Sequence, residues 1–354
     1  MNQSFLRVSL LIAVAVLLNA CSSTSNRDKI TVIKPVVTPP PTSANNGYRP
    51  TVYSGVFAKP AAIDPAVEFW RKTYGVWQRS EVAFHDDRHM DVIYEVLTLP
   101  GNVGEGLTTE QKNIVSQRKE FWKSQLAGLE GKLRYGADLS HADRQIMAKI
   151  EATGKPVNTV LAGASERLRS QRGTRERFKR GLEISGRYDL QFRKIFRDAG
   201  LPEDLAYLPH VESSFQLTAK SSAGAVGLWQ FTNAAAKTFI PGHDKRDQRY
   251  DPFVSANGAA RYLSYAYGKL GDWPAAVTSY NHGIGGMKRA QNTVGNDFNR
   301  IVDNYDGPAF GFASRNYYAQ FLAAREIAAN PHQYFREGVS YEAPVGAGQY
   351  LAAE

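Results

Sequence analysis

Apolar positions recur at helical spacing along most of the chain. In "AVEFWRKTYGVW" they fall three and four apart, and Asp64 with Pro65 just ahead supplies an N-cap and a first-turn proline, so the pattern predicts a helix. Thr108 and Gln111 form a capping box before Ile114, Phe121, Trp122, Leu126 and Leu129. Ser140 and Asp143 mark a third start before Ile146 and Ile150. From Glu166 to Arg197 the pattern predicts a basic helix with Phe178, Leu182 and Tyr188 on its inner side, closed at Gly200, its charges forming a solvated face, with a grip on an anionic polymer as the alternative. A short helix then opens at Pro202, with Glu203 and Asp204 at its positive end. Asp251 and Pro252 start a helix whose stripe of Ala260, Leu263, Tyr267 and Leu270 ends at Gly271, and Pro274 starts the next. Between these groups "SSAGAVGLWQF" reads as a loop or short hairpin, because Gly224 and Gly227 permit turns. The fold class expected is mainly α.

The N-terminus follows a different pattern. Residues 1–20 carry Arg7 ahead of "LLIAVAVLL", too short to span a bilayer and suited to an export signal. Cys21, the only cysteine, follows "LLNA" and precedes "SSTSN", an arrangement similar to a bacterial lipobox in which the cysteine becomes lipidated; an ordinary cleaved signal is the alternative. Residues 21–62, rich in Pro, Ser and Thr, read as a flexible tether. Ser22 after the cysteine, with no aspartate, points to the outer membrane, with the chain held there by its lipid and facing the periplasm. A lone cysteine allows no intramolecular disulfide.

Charge and composition narrow the partners. The chain has a formal net charge of +9, with 43% hydrophobic and 22% charged residues, as in a folded soluble protein with an anionic partner. Nucleic acid fits poorly with an exported, lipid-anchored chain. The seven histidines are scattered without zinc-site spacing, so neither metal nor cofactor is expected, and a monomer is.

In "LPHVESSF" one acid, Glu212, stands among apolar residues. An exposed or paired glutamate is the bland reading. If the fold buries Leu208, Val211 and Phe215 beside it, its pKa rises and it becomes a candidate general acid. Pro209 is expected to kink or tighten this helix near its end. Eighteen positions on is Gln230, and "SYNHGIGG" later supplies Tyr280 and Asn281. Polar groups arriving on helix ends and loops are how a cleft is assembled.

Glu212-Ser213, then Gly227-Leu228-Trp229-Gln230, then Ser279-Tyr280-Asn281 resemble the three spaced motifs of lytic transglycosylases with a goose-type-lysozyme-like domain. Ser279 stands where the family has alanine. The resemblance runs from about Gly173 to Pro331 and is nearest to the membrane-bound D type, without its LysM repeats. It implies an α+β, lysozyme-like catalytic domain at 173–335 behind a helical N-terminal region at 63–172, with a tail at 336–354. It also implies cleavage of peptidoglycan glycan strands between N-acetylmuramic acid and N-acetylglucosamine by one glutamate. Glu212 would protonate the glycosidic oxygen, then take the proton of the muramic C6 hydroxyl, giving a 1,6-anhydro end while the substrate's acetamido group stabilises the intermediate.

Chemistry assigns the other positions. Tyr280 and Asn281 can donate to the acetamido carbonyl or to Glu212, and Gln230 can bind hydroxyls or amides. Ser213 and Ser221 either orient the acid or contact the sugar, or serve as cap and turn hydroxyls. Trp229 is a stacking platform or core, with core favoured, and His282 is left out of the mechanism. Glycosidases usually employ two carboxylates, yet Asp244, Asp247, Asp251 and Asp272 fall at loops or caps, so no second acid emerges. Two alternatives remain: a hydrolytic muramidase on the same scaffold, and a peptidoglycan-binding lipoprotein without activity.

Overall fold

The computed structural model describes residues 55–345; the segment read as an export signal, Cys21 and most of the stretch read as a tether lie outside the described residues. After a short 3-10 turn, α1 (Asp64–Gly75) buries Val67, Phe69, Trp70 and Tyr74 on one face. Asp64 is its first helical residue and not its cap, and it pairs with Lys59 at 2.7 Å. Strands β1 (Glu81–Asp86) and β2 (Ile93–Thr98) form an antiparallel hairpin. Then come α2 (Thr109–Tyr135) and α3 (His141–Glu151), each opened by its expected capping box, worth roughly 0.5–2 kcal/mol per cap. Two short helices, α4 (Val157–Leu161) and α5 (Ala164–Arg167), lead into β3 (Leu168–Arg172), which pairs antiparallel with β1 in a sheet of order β2-β1-β3.

The basic stretch is therefore not one helix. Leu168–Arg172 is recruited as a strand, and Gly173 lets the chain pass so close to Trp77 that a Cβ there would lie 2.3 Å from its carbonyl oxygen. Helices α6 (Arg175–Ser185) and α7 (Asp189–Asp198) then form separately. The short helix expected at Pro202 divides into a 3-10 turn (Glu203–Tyr207) and α8 (Leu208–Glu212), with Pro209 in the first turn of α8, where its missing N–H costs nothing. The remaining helices are α9 (Asn233–Phe239), α10 (Pro252–Leu270), α11 (Trp273–His282), α12 (Ile284–Val294), α13 (Phe298–Asn304), α14 (Phe312–Ala329) and α15 (Pro331–Tyr334). Asp251 caps α10, Asp272 caps α11, and Gly271 ends α10 in the left-handed conformation, as their sequence signals predict.

Two hydrophobic cores result. The smaller joins the sheet's Val82, Phe84 and Tyr94 to Trp122, Leu126, Leu129, Ile146 and Ile150. The larger runs from Phe57 and α1 through α6–α8 to α10, α11 and α14. Helix α1 lies along α14, with Trp70 Nε1 donating to Asn316 Oδ1 at 3.2 Å and Arg71 pairing with Glu326 at 2.8 Å. The stretch read as a helical N-terminal region thus contains the sheet and divides between both cores. Residues 55–62, assigned by composition to the tether, pack as well: Phe57 lies edge-on to Phe321 at 5.1 Å, and Tyr318 donates to the Ala58 carbonyl at 2.7 Å. No helix of the described residues is long and apolar enough to cross a membrane.

Candidate active site

A cleft of about 500 Å3 opens at the C-terminal end of α8, within the range of ordinary ligand pockets. Glu212, the last residue of α8, faces it and is the only carboxylate among the described residues that line it. Burial pushes its carboxyl up to about 7, against the downward pull of a hydrogen bond from the Tyr317 hydroxyl to Oε1. An acid at about 7 is half protonated near neutral pH, so it can give and take a proton in one cycle. Tyr74 and Tyr280 also line this space. The negative charge on Glu212 and their own burial raise both phenols, so all three tyrosines stay protonated as donors.

The loop after α8 is held in a strained conformation by its packing and hydrogen bonds. Ser214 and Phe215 have φ of 51° and 56°, and Gln230 has 47°, left-handed conformations that cost non-glycine residues roughly 1–3 kcal/mol each and tend to collect at functional sites. Ser213 is buried, and its hydroxyl donates to the Leu228 carbonyl at 2.9 Å, tying the end of α8 to the Gly-Leu-Trp-Gln segment. That segment is the expected short hairpin, with Val226 bridged to both Lys220 and Phe231. Gly227 is required there: its φ is 76°, and a Cβ would lie 2.4 Å from the Arg249 carbonyl oxygen.

The structure brings Glu212, Ser213, Ser221, Gln230 and Tyr280 together at the cleft. Several of their polar atoms are already engaged. Ser221 Oγ accepts from the Ala225 N–H at 3.0 Å, a turn role, and Tyr280 donates to the Trp229 carbonyl at 2.9 Å. Gln230 donates Nε2 to the carbonyls of Ala219 and Gly227 at 3.1 and 2.8 Å, leaving its carboxamide oxygen for a ligand. Asn281 is not at the cleft wall. It is buried behind it, where its Oδ1 accepts from the Ser314 hydroxyl at 2.8 Å. Trp229 is fully buried against Phe192 and Phe196, so of its two readings the geometry fits core. His282 contacts Ser314 and Phe310 rather than the cleft.

Sequence reasoning missed Tyr317, Tyr74, Trp70 and Gln320, which line the cleft from α14 and α1. Their spacing marks them only as inner-face residues of helices, and no local signal says that the face meets Glu212. The acids near the motifs stay out of the cleft: Asp251 and Asp272 cap helices, and Asp247 pairs with Arg249 at 2.7 Å, which holds its carboxyl down at about 2. Among the described residues no group of three His, Cys, Asp or Glu is placed to hold a metal ion.

Residues 192–301 match the family described as the Transglycosylase SLT domain. The chain is 36% identical over 104 residues to a protein of Alteromonas sp. (strain M-1) named for tributyltin chloride resistance, a match covering 29% of this chain and 50% of that one. It is 33% identical over 150 residues to peptidoglycan transglycosylase gp16 of Escherichia phage T7, over 41% of this chain and 10% of the relative. It is 29% identical over 139 residues to membrane-bound lytic murein transglycosylase D of Escherichia coli (strain K12), over 38% of this chain and 30% of that enzyme. The chain thus spans half or less of the length of each of these relatives. The matched segment carries Glu212, Gln230 and Tyr280, whereas Tyr317 lies beyond it. Over residues 192–301 this chain is thus similar to transglycosylase SLT domains.

Proposed function

We propose that the chain is a peptidoglycan lytic transglycosylase. The observation that carries this reading is a single carboxylate, Glu212, desolvated to a pKa of about 7 in a cleft with no second acid. A two-carboxylate mechanism needs partners roughly 5–9.5 Å apart, and nothing lining this cleft supplies one. As the resemblance to lytic transglycosylases implies, Glu212 then acts as both acid and base. Glu212 in its acid form protonates the glycosidic oxygen; the bond to the muramic anomeric carbon breaks with its electron pair leaving on that oxygen. The acetamido oxygen of the same sugar compensates the positive charge. Glu212, now a carboxylate, takes the proton of the C6 hydroxyl as that oxygen closes on the anomeric carbon, and both products leave with Glu212 protonated again. Tyr317 holds the carboxylate form through its hydroxyl, and the Gln230 oxygen is available to an amide or hydroxyl of the sugar.

The same reading assigns the chain to the periplasmic side of a bacterial envelope, anchored in the outer membrane through Cys21, with peptidoglycan as partner and the monomer as working form. Mass spectrometry of fragments released from purified peptidoglycan tests it. Anhydromuramic ends support the intramolecular transfer, reducing ends make the protein a muramidase, and the absence of fragments leaves only a binding role.

A further inference from the structure

Charge along the cleft is lopsided. Beside the one carboxylate, Glu212, the lining holds two cations, Arg177 and Lys220. Helix α6 carries four cations, and three of them have acidic partners: Arg175 and Lys179 pair with Glu337 at 2.9 and 3.4 Å, and Arg180 with Glu183 at 3.0 Å. Arg177 has no acidic partner among the described residues, although it is exposed and its neighbours on the helix are matched. Its guanidinium reaches only the Ser213 carbonyl, at 3.4 Å, one residue from Glu212. Lys220, on the hairpin, is also exposed and has no ion pair among the described residues. Nor does Arg177 serve the acid, because the groups acting on Glu212 are its burial and Tyr317.

We propose that Arg177 and Lys220 form a carboxylate-binding subsite for the lactyl arm of the muramic acid residue, which gives the cleft a preference for anionic strands. The inference rests on the transglycosylase reading and names the part of the substrate that this end of the cleft recognises. N-acetylglucosamine is neutral, whereas muramic acid bears a lactyl ether ending either in its own carboxylate or in an amide-linked peptide with further carboxylates. A planar guanidinium matches a carboxylate in two parallel hydrogen bonds, and an ammonium on the same cleft wall adds a point charge. Unpaired cations in a concave wall also concentrate an anionic polymer before it docks.

The test is steady-state cleavage by the wild type, the Arg177→Gln/Lys220→Gln double variant and Arg177→Lys. The substrates are peptidoglycan with intact stems and the same glycan stripped of stems by an amidase, which leaves the lactyl carboxylate free. Each is assayed over a range of sodium chloride. The double variant is expected to raise KM about fivefold to tenfold, as two exposed charge pairs warrant, with less effect on kcat and a flatter salt dependence. Arg177→Lys, which keeps the charge but loses the paired hydrogen bonds, should fall between the wild type and the double variant in KM while keeping the wild-type salt dependence. An effect confined to stem-bearing strands makes the stem carboxylates the ligand; one confined to stripped strands makes it the lactyl carboxylate; both together support the shared chemistry. Unchanged KM and salt dependence on both substrates overturns the subsite. If the wild type cleaves neither substrate, the transglycosylase reading fails separately, and co-sedimentation with peptidoglycan then decides: equal pelleting of double variant and wild type at all salt concentrations also overturns the subsite.

Discussion

The hydroxyl of Tyr317 donates a hydrogen bond to Oε1 of Glu212, joining the middle of α14 to the end of α8 across 105 positions of sequence. The bond favours the charged form of the acid, whereas burial favours the neutral form and prevails, leaving Glu212 at about 7. Because the acid must start protonated, kcat/KM should fall as pH rises through about 7. Tyr317→Phe removes the downward influence, so the alkaline limb should move to higher pH while kcat drops about tenfold or more. A pH-rate profile whose limb stays in place in the variant would remove Tyr317 from the titration of Glu212.

Glu212 should also cost stability when it is charged. Its folded pKa lies above the ordinary 4.5, so the fold holds its proton more tightly than the unfolded chain does. This stabilisation is complete below the ordinary value and is lost as pH rises through about 7. Glu212→Gln, which never ionises, should therefore melt higher than wild type at pH 8, by about 1–3 kcal/mol in order of magnitude, with the gap closing towards pH 5. Thermal melts at the two pH values decide it; a constant offset would point to a packing effect instead.

Gly181, inside α6, sets two effects against each other. Alanine is better than glycine in a helix by about 1 kcal/mol. A Cβ at this position, however, would lie 2.8 Å from the Ser214 carbonyl oxygen, in the strained loop beside Glu212. Backbone cannot yield as a flexible side chain can, so Gly181→Ala is expected to lower both the melting temperature and kcat. A stabilised, fully active variant would show that α6 need not lie so close.

A chain beginning at Gly173 would keep every motif but lose α1. The face of α14 that meets Trp70, Arg71 and Tyr74 would be uncovered and the large core would lose Val67, Phe69, Trp70 and Tyr74, and at roughly 1.5–3 kcal/mol for each large apolar side chain that loss rivals the whole stability of a domain. Such a chain should aggregate or melt without cooperativity, whereas residues 55–345 should unfold in a cooperative transition by circular dichroism. Cooperative unfolding of the short form would make the large core separable from α1.

What could be read in the sequence was local or carried by motif. The capping boxes at Thr108 and Ser140, the caps at Asp251 and Asp272 and the stop at Gly271 involve partners within a few residues, so adjacent letters suffice to specify them. Glu212, Gln230 and Tyr280 were found by type and spacing, and Trp229 was favoured as core for its apolar setting. The basic stretch misled because its helical stripe is genuine, while the pairing of β1 with Leu168–Arg172 depends on a strand more than eighty positions earlier.

The sequence by itself determined a mainly helical chain, the order of its capped helices and one acid with its companion motifs, because helix hydrogen bonds and caps close over short chain distances. Only the tertiary structure decided that Glu212 is desolvated, that Tyr317 from α14 and Tyr74 from α1 surround it, that Asn281 turns to Ser314, and that Arg177 lines the cleft without an acidic partner among the described residues. Desolvation and contact between distant helices are properties of how packed faces meet, and no short stretch of letters specifies which faces those will be.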